Sequence, residues 1–438
     1  MKKTLLAAVL LLTIKSTYSQ TYNTVSTFAG SSSTGLIDGP LLSAQFHNPY
    51  NICMDPLTGI LYVADTYNNA IRRIHNGQVT TLAGNGAQGD VDAQGSNARL
   101  YYPTGLDFYN GCLYFTDNGN NKIKKVDTLG NVTTVAGTGA PGFQDGAVSS
   151  AKLWNPTGLD VDVANGDIYV ADYGNNRIRK ISGGMITTIA GTGTAGDQTG
   201  SALSAEFDYP NTVRYDGSGN LYITDQNNNK IKVLSGGMVT VFAGNGTPGF
   251  VNGNAATAEF DHMGGIVFDM YGNLLVNDGG NNAIRRITPS GMTTTLAGNG
   301  TAGFTNGPVA SATFNGSAGL CMGLSGEIYV ADKVNQVIRM ISVGDVGIQE
   351  HTSDYNSILS VYPNPSADNI TISNPFKDGN FISVIDVMSI DGKLVSEIKI
   401  EKPMDVKIDI SQLPEGVYFI SAVSSDDEKY SAKFIKGN

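Results

Sequence analysis

Cysteine, histidine and tryptophan are scarce in this chain, with three, four and one of them among 438 residues. The three cysteines (Cys53, Cys112 and Cys321) are too few for a disulfide framework, and the odd number leaves at least one thiol unpaired within the chain. They read as small buried hydrophobes. Charge is sparse too, at 15% Asp, Glu, Lys and Arg, and it is unbalanced, 39 acidic against 28 basic residues for a net charge of -11. A broad electrostatic attraction to nucleic acid or anionic lipid is excluded on that balance, since both present negative surfaces. Past residue 20 no stretch approaches the roughly 18 apolar residues of a membrane span. Before it, Lys2 and Lys3, the apolar run Leu5 to Ile14 and the small residues Thr17 and Ser19 have the form of a secretory signal, residues 1–19, with no cysteine nearby for a lipid anchor. The mature chain is expected to be exported, soluble and monomeric.

Glycine is in excess, at 54 residues, close to twice the average share of about 7%. Each glycine in a helix interior costs about 1 kcal/mol relative to alanine, so the composition points to short strands and tight turns. A repeat confirms that direction. An Ala-Gly pair closes a β-rich run at Gly30, Gly84, Gly137, Gly191, Gly244 and Gly298, at spacings of 53 or 54 residues. In step with it runs an aspartate, at Asp65, Asp117, Asp172, Asp225, Asp278 and Asp332. One copy divides into four strands, for instance Tyr50 to Asp55, Ile60 to Ala64, Ala70 to Ile74 and Gln78 to Ala83. Four strands in about 53 residues make one β-propeller blade. The sixth copy lacks its outer strand, and Val25 to Gly30 has that strand with nothing before it, so the N-terminal strand is expected to close the ring.

Pro103-Thr-Gly-Leu-Asp107, Pro156-Thr-Gly-Leu-Asp160 and Ile168-Tyr-Val-Ala-Asp-Tyr-Gly-Asn-Asn-Arg-Ile178 resemble the NHL-repeat family of six-bladed propellers. The predicted fold class is therefore all-β: a six-bladed NHL-type β-propeller over residues 20–346 and, past a linker at 347–357, a small C-terminal β-sandwich over 358–438. In residues 352–438 lysine replaces arginine entirely and the repeat stops, while turn signals separate about seven strand-like runs, among them Asn369 to Ile372, Ile382 to Met388, Val406 to Ile410 and Val417 to Val423. Val361-Tyr-Pro-Asn-Pro365, Asp391-Gly-Lys393, Leu413-Pro-Glu-Gly-Val-Tyr418 and Lys433-Phe-Ile-Lys436 make this segment similar to the type A C-terminal sorting domains of type IX secretion. The resemblance implies the type IX machinery as a partner, passage across the outer membrane of a Gram-negative bacterium, removal of the domain, and release or attachment at the cell surface.

Several motifs have bland explanations. Five runs beginning at Gly84, Gly137, Gly191, Gly244 and Gly298 satisfy G-x-G-x-x-G, but each leads to another strand rather than to the helix a dinucleotide site needs, so the glycines read as turn formers. The basic pairs Arg72-Arg73, Lys124-Lys125, Arg179-Lys180 and Arg285-Arg286 read as solvated outer strands, because segment 21–351 holds 17 basic against 26 acidic residues. The repeated aspartates and the asparagines after them read as turn architecture.

A functional site should break the repeat. The pairs that precede each inner strand do so: His47-Asn48, Tyr101-Tyr102, Trp154-Asn155, Asp208-Tyr209, Asp261-His262 and Asn315-Gly316. Aromatics there could stack on a sugar or peptide while amides orient it. The expected function is binding of a glycan, peptide or protein at this channel mouth, with no catalytic residue, metal ligand or cofactor assigned. The competing class is a metal-dependent hydrolase, lactonase or lyase with its site in the channel. Amidating lyases of the same fold hold zinc with three histidines, where this ring offers only His47 and His262. A lactonase-like calcium site would draw on Asp107 and Asp160, which share an inner-strand position with Arg214, more simply an ion-pair partner.

Overall fold

The computed structural model describes residues 22–343 and, in the C-terminal unit, 361–363, 366–373, 381–389, 394–400, 405–425 and 429–437. The signal segment 1–19, the linker 347–357 and the Asp391-Gly-Lys393 motif lie outside the described residues. These fall into two compact units that divide between residues 347 and 348.

The larger unit is all-β, with six small antiparallel sheets and no α-helix among the described residues. In the first five sheets the four main strands form a meander in sequence order, and in the sixth the N-terminal strand takes the fourth place. The first consists of Pro49–Met54, Leu61–Asp65, Ala70–His75 and Gln78–Ala83, within one residue or so of the boundaries read from the repeat. The inner strands of the next four sheets are Pro103–Tyr109, Leu159–Val161, Pro210–Tyr215 and Met263–Phe268. The sixth joins Leu320–Met322, Ile328–Asp332 and Val337–Val343 to the N-terminal strand Tyr22–Ala29, which pairs antiparallel with Val337–Val343 through Val25↔Ile341 and Ser26↔Met340.

Both faces of the sheets are apolar and buried, as radial packing requires. One layer holds Tyr62 of the first sheet with Leu113 and Phe115 of the second. Equivalent layers follow between every successive pair, and a further one sets Tyr329 and Ile338 of the sixth sheet against Ile52 and Leu61 of the first. Inner strands of neighbouring sheets also touch in sequence, and Leu320–Met322 touches Pro49–Met54.

The basic residues of the third strands correct one expectation. Arg72, Lys124, Arg179 and Arg285 are not solvated; each is fully buried, as are Lys232 and Arg339 in the other two sheets. Each reaches the repeated aspartate of its own sheet: Arg72 to Asp65 at 2.7 Å, Lys124 to Asp117 at 3.2 Å, Arg179 to Asp172 at 2.5 Å, Lys232 to Asp225 at 2.7 Å, Arg285 to Asp278 at 2.6 Å and Arg339 to Asp332 at 2.8 Å. Water is replaced around these cations by carboxylate and backbone carbonyl oxygens; Arg72 also donates to Gln45 O and Ile37 O. The recurrence in all six sheets shows why a chain of net charge -11 repeats a basic residue there.

The Gly84 turn has a steric cause. Its φ is +90° and an added Cβ would lie against Asn69 O, so no side chain fits. Cys53 and Cys321 are buried as expected, Cys112 only partly, and all three are free.

In the smaller unit, Val361–Tyr362, Asn369–Ile372 and Val406–Asp409 form one antiparallel sheet, while Leu394–Lys399, Ile382–Ser389, Gly416–Ser424 and Lys429–Lys436 form another. Ile370, Ile372 and Ile408 of the first share a core with Ile385, Ile420 and Phe434 of the second.

Candidate functional site

The six pairs that break the repeat are presented by one repeated backbone device. Ahead of each stands a fully buried apolar anchor: Phe46, Leu100, Leu153, Phe207, Phe260 or Phe314. The first residue of the pair then donates its backbone N–H to Oδ1 of the repeated aspartate, as His47, Tyr101, Trp154, Asp208, Asp261 and Asn315 all do at 2.7–2.9 Å. The second residue turns into the left-handed region, with φ between +46° and +60° at Asn48, Tyr102, Asn155, Tyr209, His262 and Gly316. Its N–H is held by an amide oxygen of the preceding sheet, for instance Tyr102 by Asn69 at 3.0 Å and Asn155 by Asn121 at 2.9 Å; Gln336 of the sixth sheet serves Asn48 at 2.6 Å. Aspartate, asparagine and buried cation therefore fix the main chain and leave the side chains free to vary.

Those side chains face solvent to different degrees. Trp154 is 47% exposed and lies on the bare Cα of Gly174, where an added Cβ would come within 2.7 Å of the indole. Tyr102 and Tyr209 are also exposed. His47, Tyr67, Tyr102 and Tyr101 form a run of contacting rings with centroids 4.5–5.3 Å apart, and Tyr209 stacks on Tyr173 at 4.6 Å. His262 Nδ1 lies 2.5 Å from Asp261 Oδ1, in the fifth sheet, while His47 belongs to the first. Among the described residues no three of His, Cys, Asp or Glu gather as metal ligands do.

Between the rims lies a cavity of about 330 Å³. Of the mouth pairs only Asn48 and Tyr102 line it; the rest of its wall was missed from the sequence, including Tyr50, Tyr67, Tyr173, Asn211, Gln226 and Lys333. Two columns of the repeat would have revealed all of these but Tyr67. The second inner-strand position reads Tyr50, Thr104, Thr157, Asn211, Gly264, Ala318, and the residue after the repeated aspartate reads Thr66, Asn118, Tyr173, Gln226, Gly279, Lys333. Neither repeats. The Tyr50 hydroxyl reaches from the first sheet to the fourth, where Asn211 Nδ2 donates to it at 3.0 Å.

At the fifth inner-strand position sit Cys53, Asp107, Asp160, Arg214 and Cys321. Arg214 pairs with Asp160 at 2.8 Å, the arrangement expected of that trio. Each of the four carboxylate oxygens accepts a hydrogen bond, Asp107 from Phe108 N and Val161 N and Asp160 from Arg214 and Tyr215 N, so neither is poised as an open cation ligand. Burial pushes both carboxyls up against the pull of Arg214; Asp160 reaches about 7 with Asp107 beside it. Burial also holds the Cys53 thiol well above its ordinary range and Cys321 at about 12, which keeps both unreactive.

The raised pair has a measurable consequence. The unfolded chain loses the Asp160 proton near pH 4 and the folded one only towards pH 7, so stability contributed by that proton, shared with Asp107, is present in acid and is lost as pH rises through that window. Asp107→Asn is expected to flatten the fall in unfolding free energy between pH 5 and 8 by roughly one proton's worth. Parallel wild-type and variant profiles in urea titrations would exclude the shared proton.

Comparison with known families accounts for both units. Residues 153–181 match the NHL repeat and residues 360–437 match the secretion system C-terminal sorting domain. The chain carries an NHL repeat and a type IX secretion C-terminal sorting domain. Human NHL repeat-containing protein 2 is 27% identical over 369 residues, covering 75% of this chain and 49% of the relative. Protein SUPPRESSOR OF QUENCHING 1, chloroplastic, of Arabidopsis thaliana is 29% identical over 274 residues, 58% of this chain and 26% of the relative. The chain thus spans between a quarter and a half of these relatives' lengths. An auxiliary nutrient binding protein from Bacteroides ovatus superposes with a TM-score of 0.58 at 18% identity, covering 74% of this chain and 78% of that one, a likeness of fold. The larger unit is an NHL-type β-propeller, and the sorting domain implies export.

Proposed function

We infer that the chain is a six-bladed propeller, closed by its N-terminal strand, that is displayed on or released from the surface of a Gram-negative bacterium and binds a glycan, peptide or protein through its mouth. The blade count rests on the six sheets with an apolar layer between every neighbouring pair, and closure rests on the pairing of Tyr22–Ala29 with Val337–Val343. The observation that carries the binding reading is the constant backbone hold on six side-chain pairs of which no two are alike. Packing alone would select one residue type at each position; a surface that must match a ligand selects several.

Trp154 tests this. A buried aromatic cut to alanine costs about 3–5 kcal/mol, and an indole with half its surface in solvent costs far less. Trp154→Ala is expected to leave the melting temperature nearly unchanged and to weaken binding of hits from glycan and peptide arrays by about tenfold or more, with the fluorescence response to those hits abolished. A large loss of stability with affinity retained would make Trp154 a packing residue and withdraw the mouth as the site.

A further inference from the structure

We propose that the mouth cavity is selective for an acidic saccharide, a uronic acid whose carboxylate pairs with Lys333 and whose hydroxyl donates to Asn48 Oδ1. This rests on the binding reading above and names its ligand class.

Most polar groups of the cavity wall are already spent. Thr66 Oγ1 donates to Pro103 O at 2.7 Å, Thr104 Oγ1 to Thr157 O at 3.1 Å, Thr157 Oγ1 to Asn211 O at 2.7 Å, and Asn118 Nδ2 to Pro156 O at 3.0 Å. These bonds tie neighbouring inner strands together around the channel. Asn211 is occupied by Tyr50 and Gln226. Two groups stand apart from these. Asn48 Oδ1 is buried and has no hydrogen-bond partner, although the N–H of the same residue is held by Gln336. Lys333 lies over the Tyr50 ring at 5.8 Å, and among the described residues no hydrogen-bond or carboxylate partner meets its ammonium.

The missing carboxylate is unusual for this chain. Every buried cation of the third strands has an aspartate, yet none of the residues lining this cavity is acidic. Burial alone acts on Lys333 and holds its pKa below the ordinary lysine range. A partly buried cation without a carboxylate and an acceptor without a donor share one cavity. A simple anion would satisfy only the first; a sugar acid satisfies both, offering a carboxylate and several hydroxyls. Its ring has aromatic faces to meet at Tyr67, Tyr102 and Tyr173. The volume, at the lower end of the roughly 300–1,000 Å³ of ligand pockets, admits one or two sugar units rather than a folded partner.

The full chain is titrated calorimetrically with digalacturonic acid, its fully methyl-esterified form, a glutamate-rich peptide of similar length, and sulfate. The acid is expected to bind at least about tenfold more tightly than the ester, in which a neutral methyl ester replaces each carboxylate. Lys333→Met should bring the acid down to the level of the ester, and Lys333→Arg should keep most of the preference. Removing a lysine that makes no hydrogen bond or ion pair should leave the melting temperature nearly intact, and Lys333→Gln provides a second variant of the same sense. Equal affinities for acid and ester, a preference that survives Lys333→Met, tighter binding of the peptide, or sulfate competing as well as the acid would each overturn the proposal. The two readings fail separately. Equal affinities that both drop in Trp154→Ala leave the mouth standing and remove only the acid; a preference lost in Lys333→Met and untouched by Trp154→Ala keeps the acid in the cavity and removes Trp154 from the binding surface.

Discussion

A chain that begins at residue 35 is expected to lose its cooperative unfolding transition or to aggregate. The strand Tyr22–Ala29 is the only one in the sixth sheet that comes from the other end of the sequence. It pairs with Val337–Val343 along its whole length and with Pro308 and Gly307 on its other side. Its Val25 and Ala29 side chains are fully buried and Tyr22 nearly so, in layers shared with Val267, Leu275 and Ile341 and with Ile52 and Leu61. Burial of the Val and Tyr side chains alone is worth about 1.5–3 kcal/mol each. The exposed edge of Val337–Val343 adds a template for pairing with another molecule. A total on the order of 5 kcal/mol is comparable to the whole stability of many domains. Calorimetry with light scattering checks the outcome, and an unchanged transition would show that the N-terminal strand does not close the ring.

The all-β architecture was legible because the repeat is stated six times over. One period of 53 or 54 residues, one aspartate column and one glycine column locate every sheet, and turn glycines and β-branched residues mark the strand ends to within a residue or so. What a single strand hides is which of its neighbours face another sheet. Arg72 and Arg73 look alike in sequence, but alternation sends them to opposite faces of the sheet, where Arg72 is fully buried and Arg73 only partly. Only the spacing of seven residues from Asp65 to Arg72, kept in all six copies, hints at the pairing. The mouth pairs were found because they break the repeat just before a strand. Tyr50 and Lys333 escaped although they break it as clearly, because their columns lie inside strand and turn signatures that read as architecture.

The largest single-residue effect is expected at the clamp that joins architecture to site. In Asp172→Ala the Arg179 guanidinium, with no exposed surface, loses its buried carboxylate; the N–H of Trp154 and the amide of Asn175 lose their acceptors as well. Breaking a buried pair from one side costs about 3–5 kcal/mol, because the remaining charge is stranded away from water. In a propeller of this size that lowers the melting temperature by roughly 10 °C. Asp145 is the internal control. It meets the other end of the same guanidinium at 2.6 Å, but its side chain is 42% exposed, so Asp145→Ala should cost about 1 kcal/mol or less. Replacing the whole pair, Asp172→Leu with Arg179→Met, should recover much of the loss, since no charge is then buried. Binding separates stability from function: the double variant still lacks the acceptor for Trp154 N–H, so its mouth should remain impaired where its fold is restored. Loss of under 1 kcal/mol in Asp172→Ala, or no difference from Asp145→Ala in chemical denaturation, would mean that the aspartate column neither neutralises the buried cations nor holds the side chains of the mouth.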